Sequence, residues 1–234
     1  MPRVQCQEIQ GDKVSSKVKN AEKKELELRE QRATARKAEV ELAREEIYLK
    51  KQRRDYKRTT HSDPERYGRF KFNAEVSQTN VEIFTDQLER WSRLNPGKPI
   101  TVVLTSPGGS VLAGWGLYDT LRTLSAQGHH ITTQVRGYAA SMGAVLLQAG
   151  DTRLVGAESY VMLHEVSSVA YGKLHEIKDQ SKFTRKLNSR IFDVIAARTD
   201  GKWTGESLYN WAKAKDRWVS SAECVEQGFA DGVG

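Results

Sequence analysis

Gly137-Tyr138-Ala139-Ala140-Ser141-Met142-Gly143-Ala144 sets one hydroxyl among very small neighbours, at the head of an apolar run through Val145, Leu146, Leu147 and Ala149. A nucleophilic serine needs that setting. Its Oγ must be reachable by a carbonyl, its neighbours must not block the approach, and nearby backbone N–H groups must meet the developing oxyanion. A helix starting just after the serine would add the positive end of its dipole. The octapeptide taken alone also fits a packed helix start with an incidental serine, so the remaining sequence has to decide between the two.

Upstream, Ile100 to Leu104 is a short β-rich run followed at once by Thr105-Ser106-Pro107-Gly108-Gly109-Ser110. This spacing predicts a strand, a tight glycine turn, and an amphipathic helix through Leu112, Trp115, Gly116, Tyr118, Leu121 and Leu124. Two glycines after a strand let the backbone approach a ligand and turn N–H groups outward. An ordinary strand-to-helix turn reads the same way, whereas a phosphate loop would require a Gly-Lys-Ser/Thr ending that is not there. Downstream, Tyr160-Val161-Met162-Leu163-His164 is a β-run ending in a histidine. Such a histidine is either structural or a general base, and one helix and one strand would suffice to bring it to Ser141. Lys215-Asp216-Arg217-Trp218, followed by Ser220, Ser221, Ala222 and Glu223, offers an acid that could orient an imidazole through its Nδ1 proton. The alternative for Asp216 is a surface charge between Lys215 and Arg217.

Together these four pieces resemble the ClpP-type serine peptidases from about Arg69 to Gly232. The resemblance is carried by S-P-G-G-S with G-L-Y-D-T, by G-Y-A-A-S-M-G-A with L-L-Q-A-G, by V-M-L-H, and by D-R-W-V-S-S-A-E with E-Q-G-F-A-D. It implies an α/β fold of repeated strand–strand–helix turns, the ClpP/crotonase type. It also implies Ser141 as nucleophile, His164 as general base, Asp216 as the orienting acid, and Gly109 and Met142 as donors of the oxyanion-hole N–H groups. The substrate would be unfolded or extended polypeptide, and the assembly a homo-oligomeric ring, heptameric in the family and stacked in pairs. The order Ser, His, Asp differs from the Ser, Asp, His order of α/β-hydrolases.

Length and charge agree with this. The 234 residues allow one catalytic domain over 69–234, a linker over 61–68 and an arm over 1–60. The arm holds 17 Lys/Arg against 11 Asp/Glu, a net of +6, and the remainder of the chain nets +1. No apolar stretch is long enough to span a bilayer, and Met1 to Ser15 lacks the apolar region of a signal peptide, so a cytoplasmic protein without membrane contact is expected. Cys6 and Cys224 lie in unlike contexts and read as free thiols of a reducing compartment. The five histidines form no ligand cluster, so neither metal nor cofactor is called for.

Val14 to Thr59 contains neither Pro nor Gly and is dense in Glu, Lys, Arg, Ala and Leu, predicting a long helix. Ala21, Leu28, Ala35, Leu42, Leu49 and Tyr56 recur at a period of seven. Leu26, Ala33, Val40 and Ile47 form a second row two residues out of phase, about 200° away around the helix. Two opposite stripes suit a helix touching neighbours on both sides, as in a ring of identical subunits, better than the single seam of a two-stranded coiled coil. A solvated helix with incidental Ala/Leu spacing is the alternative, and the alternating charges speak against a dedicated nucleic-acid surface. The arm is a departure from the resemblance, because ClpP chains carry a short propeptide and an axial loop that meets an AAA+ unfoldase. An unfoldase therefore competes, as partner, with the scaffold or capsid proteins that a phage head-maturation protease would cleave. A non-catalytic interaction protein is the third reading, opposed by the complete Ser141/His164/Asp216 set.

Two smaller expectations follow from the same comparison. Three extra residues near Ala126 to His130 predict a longer surface loop there. Val166 to Gly172 reads as a β-prone stretch before a helix over Lys173 to Arg198, the pair that forms the inter-ring handle in the family. Thr199 to Thr204 would be the turn after that helix, and Glu206 to Lys213 another short helix.

Overall fold

The computed structural model describes residues 25, 28–29, 31–37, 39–51 and 68–234. The chain divides into two compact units, Met1–Thr59 and Thr60–Gly234. In the first unit every described residue between 25 and 51 is helical (α1). Its surface carries i,i+4 pairs such as Arg29–Glu25 at 2.8 Å and Lys50–Glu46 at 3.7 Å. Both apolar rows are open within the unit, with Leu42 65 % and Ile47 66 % exposed. The outer members of the rows, Ala21, Leu26 and Tyr56, and the linker up to Tyr67 lie outside the described residues.

The second unit is a mainly parallel sheet flanked by helices. Its elements run β1 (Arg69–Asn73), α2 (Gln78–Leu94), β2 (Ile100–Ser106), α3 (Val111–Ala126), β3 (Ile131–Ala140), α4 (Met142–Leu147), β4 (Thr152–Val155), β5 (Tyr160–Leu163), α5 (Leu174–Ala196), α6 (Gly205–Ala212), β6 (Arg217–Ser220), α7 (Ser221–Glu226) and β7 (Gly232–Val233). Strands β1, β2, β3, β4 and β7 lie side by side, all parallel. The run Ile-Thr-Val-Val-Leu forms an interior strand of this sheet, between β1 and β3, with side chains largely buried on both faces. The N-cap serines Ser77 and Ser110 start α2 and α3 by accepting N–H groups of Asn80 and Ala113. Phe72 and Phe84 pack edge to face with centroids 5.1 Å apart, and Phe70 meets Trp91 at 5.8 Å.

The ten residues of β3 serve two neighbours. Thr132–Val135 pairs with β4, while Tyr138–Ala140 pairs with β5. Gly137, at φ 75°, sits at the change of partner. Strand β6 then adds antiparallel to β5, so the sheet forks at its C-terminal edge.

Two sequence expectations need correction. Only four residues separate α3 from β3, and no long loop forms between them. His129 is buried there because its Nδ1–H donates to the Lys98 carbonyl at 2.7 Å and its Nε2 accepts the Ser92 hydroxyl at 2.8 Å. The carbonyl can only accept, which settles the tautomer. The β-prone stretch 166–172 forms no strand either, and Tyr171 is 94 % exposed. A strand needs a partner edge, and among the described residues none runs beside it. The helix that follows is present as α5, with its first half exposed and Ile191, Phe192, Val194 and Ile195 buried. None of the described helices is long and apolar enough to cross a membrane.

Candidate active site

The fork in the sheet brings the predicted residues together. Ala140 is the last residue of β3 to pair with β5, opposite Met162, and Ser141 follows it immediately. The Ser141 N–H donates to the Met162 carbonyl at 2.8 Å, which holds the serine at the strand tip. Its φ of 54° and ψ of −121° put it in a conformation that costs a non-glycine residue roughly 1–3 kcal/mol. That turn swings the chain from β3 into α4, whose six residues are all buried. The serine thus stands at the edge of a rigid plug, with its Oγ at the surface of a cleft.

The histidine and the acid are placed by the antiparallel ladder of β5 and β6. Tyr160 pairs with Ser220, and each step brings the next residue of β5 against the preceding one of β6, ending at Leu163 opposite Arg217. One further step sets His164 opposite Asp216. Their Nδ1 and Oδ1 atoms lie 3.5 Å apart, longer than a good hydrogen bond. Asp216 keeps 65 % of its side chain exposed.

The third wall is the turn after β2. Val76 donates its N–H to the Gly108 carbonyl and accepts the Ser110 N–H, both at 2.7 Å. These two bonds use the residues flanking Gly109 and leave its own N–H turned to the other side of the segment. Gly108 has φ 89° and Gly109 φ 140°, regions that suit glycine. A Cβ on Gly108 would come within 2.7 Å of the Ser141 Cβ, and one on Gly109 would run into the Val76 carbonyl. Met142 supplies the second predicted N–H. It occupies the first position of α4, where no upstream carbonyl of the helix can accept it. Its side chain is drawn away, lying over Gly114 of α3 where any Cβ would overlap it.

The cleft between these walls has a volume of about 250 Å³ and is lined by Pro107, Gly109, Val111, Ser141, Leu163, His164, Val166, Ser167, Ile191 and Phe192. All five predicted residues therefore fall in one region: Ser141, His164 and Gly109 on the cleft wall, Asp216 behind His164, and Met142 next to Ser141 in the chain. The sequence reading missed Ser106 and Val76. Ser106 is fully buried, donates its hydroxyl to the Ala74 carbonyl at 2.7 Å and accepts the Gly108 N–H at 3.2 Å. A serine before Pro-Gly-Gly carried a hint of this role; Val76 gave no local signal at all.

Two carboxylates of the scaffold are held below their ordinary value. Burial would raise the Asp231 carboxyl, but hydrogen bonds from the Arg153 side chain and N–H outweigh it and hold the group below its ordinary value. Burial also opposes ionisation of Asp151, and the Ile131 N–H, Arg122 and Ser125 overcome it in the same way. Burial pushes the Cys224 thiol up to about 12, so this cysteine is inert packing.

A serine, a histidine and a glycine turn that line one cleft, with a carboxylate 3.5 Å from the histidine, make an arrangement able to carry acyl transfer. The Clp protease family model matches residues 65–234. An ATP-dependent Clp protease proteolytic subunit of Bacteroides thetaiotaomicron is 35 % identical over 162 residues, covering 68 % of this chain and 70 % of that one. The corresponding subunit of Porphyromonas gingivalis is 29 % identical over 163 residues (68 % and 70 %), and subunit 1 of Chlamydia trachomatis is 34 % identical over 145 (59 % and 71 %). The chain belongs to the Clp protease family, and its activity is that of a serine peptidase.

Proposed function

We propose that the protein hydrolyses extended polypeptide through a Ser141–His164–Asp216 triad. The observation that carries this reading is the ladder register of β5 and β6, which sets His164 opposite Asp216 at the cleft that Ser141 borders. Asp216 faces Nδ1, so Nε2 is the atom that takes the Ser141 proton as Oγ attacks the scissile carbonyl carbon. The oxyanion forms against the N–H groups of Gly109 and Met142. The imidazolium then protonates the leaving amine as the C–N bond breaks, leaving an acyl-Ser141 ester. Water, deprotonated by His164, attacks that ester, and the proton returns to Oγ as the acid product leaves. Val111, Leu163, Val166, Ile191 and Phe192 make the cleft apolar, suited to an apolar side chain beside the scissile bond.

The assembly we propose is a ring of identical subunits in the cytoplasm, as the family implies, and the open apolar side chains of Val169, Tyr171, Leu174 and Phe183 support a covered face there. The relatives' names make them ATP-dependent, and this sequence contains no Gly-Lys-Ser/Thr loop, so an AAA+ ATPase partner would have to supply ATP hydrolysis. The net charge of +6 over residues 1–60 favours a second reading, in which the arm engages acidic scaffold or capsid proteins of a phage head. Hydrolysis of a fluorogenic peptide tests the core of the proposal. Ser141→Ala is expected to abolish turnover with fold and assembly unchanged, and turnover surviving in that variant refutes the nucleophile.

A further inference from the structure

We propose that Glu165 is a positioning residue that holds Asp216 within reach of His164, an inference that rests on the triad proposed above. Asp216 lies on an exposed turn between α6 and β6, so the turn's anchors must set where its carboxylate stands. On the far side, the Arg217 Nε donates to the Trp211 carbonyl at 2.7 Å and its guanidinium lies 4.9 Å over the Trp211 ring. On the near side, Ala214 adopts φ 56°, a left-handed conformation that disfavours a residue with a Cβ. What holds it there is Glu165, whose Oε1 accepts the Ala214 N–H at 3.1 Å. Its other oxygen faces the Tyr209 hydroxyl of α6, which donates at 3.5 Å.

Glu165 directly follows His164 in the chain. The base and the acid are therefore tied through one short bridge: His164, Glu165, the Ala214 N–H, and Asp216 two residues further on. A 3.5 Å contact between His164 and Asp216 has little to spare, and loss of the Ala214 bond frees the turn to relax its left-handed residue and carry the carboxylate away. Glu165 itself touches no reacting atom in this scheme. The carboxylate contributes an acceptor at a fixed reach, so an amide oxygen on the same stem should serve.

The test is a double-mutant cycle in the full-length protein, with kcat and KM for a fluorogenic peptide expressed per fluorophosphonate-reactive site. Glu165→Ala is expected to lower kcat about tenfold, with KM within about twofold, as a misplaced catalytic group does. Glu165→Gln is expected to recover kcat to within about threefold of the parent, because its Oε1 still accepts from Ala214. In an Asp216→Asn background, Glu165→Ala is expected to cost less than about twofold more, since it acts through the residue already changed. If Glu165→Ala gives no folded protein, Glu165→Asp, one methylene short of Ala214, carries the same comparison. A full tenfold loss in both backgrounds overturns the proposal, as does a rise in KM with kcat unchanged. An unaltered kcat in Asp216→Asn alone overturns the triad itself, which sets that failure apart from the other two.

Discussion

The arm and the α/β unit are both rich in charge but use it in opposite ways. In the arm, ionic groups pair along the helix surface in water, and such pairs contribute only about 0.3–0.5 kcal/mol each. In the α/β unit, two charged pairs are instead fixed by several further hydrogen bonds. Arg153 is 5 % exposed, paired with Asp231, and donates further to Gln148 and to the carbonyls of Arg198 and Gly228. Arg122 meets Asp151 at 2.7 Å, where Ser125 and the Ile131 N–H also donate. The second unit holds these buried networks and the proposed triad alike. The first exposes apolar side chains of both stripes, Leu42 and Ile47 among them, and we propose that another surface covers them.

If the comparison holds, the largest effects lie in the second unit. Asp216→Asn is expected to lower kcat by about 10⁴ with little change in KM. Asp193→Asn and Asp200→Asn should leave it near the parent value, because Asp193 is engaged by Ser189 and neither faces His164 in the β5–β6 register. The reverse pattern would show that the ladder does not select the acid. Gly109→Ala comes next: its Cβ would run into the Val76 carbonyl, shifting the N–H, and kcat is expected to fall about 10²-fold or more. Steady-state kinetics on soluble protein would measure both.

The next effect concerns stability. Asp231→Ala leaves Arg153 buried without its carboxylate, and chemical denaturation is expected to show a loss of at most about 3 kcal/mol, the low end for a broken buried pair because Asp231 is partly solvated. The same pair sets an acid limit. Asp231 and Asp151 ionise more readily in the folded unit than unfolded, so their contribution is complete at neutral pH. It fades as pH falls below about 4 and the carboxylates are protonated. The melting temperature of the parent should drop in that window, and that of Asp231→Ala should drop less.

The smallest effect on chemistry is expected from the arm. Leu42→Glu with Ile47→Glu places a carboxylate on each stripe and should change the sedimenting assembly or the partner bound, with kcat per active site within about twofold. An unchanged assembly would mean that the arm is merely solvated, and the contrast between the units would be one of charge alone.

How much of this was legible in the sequence depended on the range of the interaction. The strand–glycine–helix unit after Ile100 and the small-residue head of α4 were readable because their rules are local: alternation, tight turns, and absence of bulk. Ser141, His164 and Asp216 stood out only as candidates in their own runs, and it was the resemblance to ClpP-type peptidases that implied their roles. Glu165 and Val76 could not, since a charged residue after a histidine and a valine in a turn carry no signal until the fold sets Ala214 and Gly109 beside them. The misjudged loop at Ala126 to His130 has the same cause. That expectation rested on three extra residues relative to the resemblance, a local count that could not show Ser92 and Lys98, distant in sequence, drawing His129 inward. The β-prone residues 166–172 fail as a strand because propensity without a partner edge forms no ladder.

If the chemistry resides at the tip of β3, a single serine should react. Reaction of the full-length protein with a fluorophosphonate, followed by mass-spectrometric mapping of the adduct, tests it most directly. One modified residue, Ser141, is expected in the parent and none in Ser141→Ala. An adduct on Ser106, Ser110 or Ser167, or labelling that persists in Ser141→Ala, would contradict it.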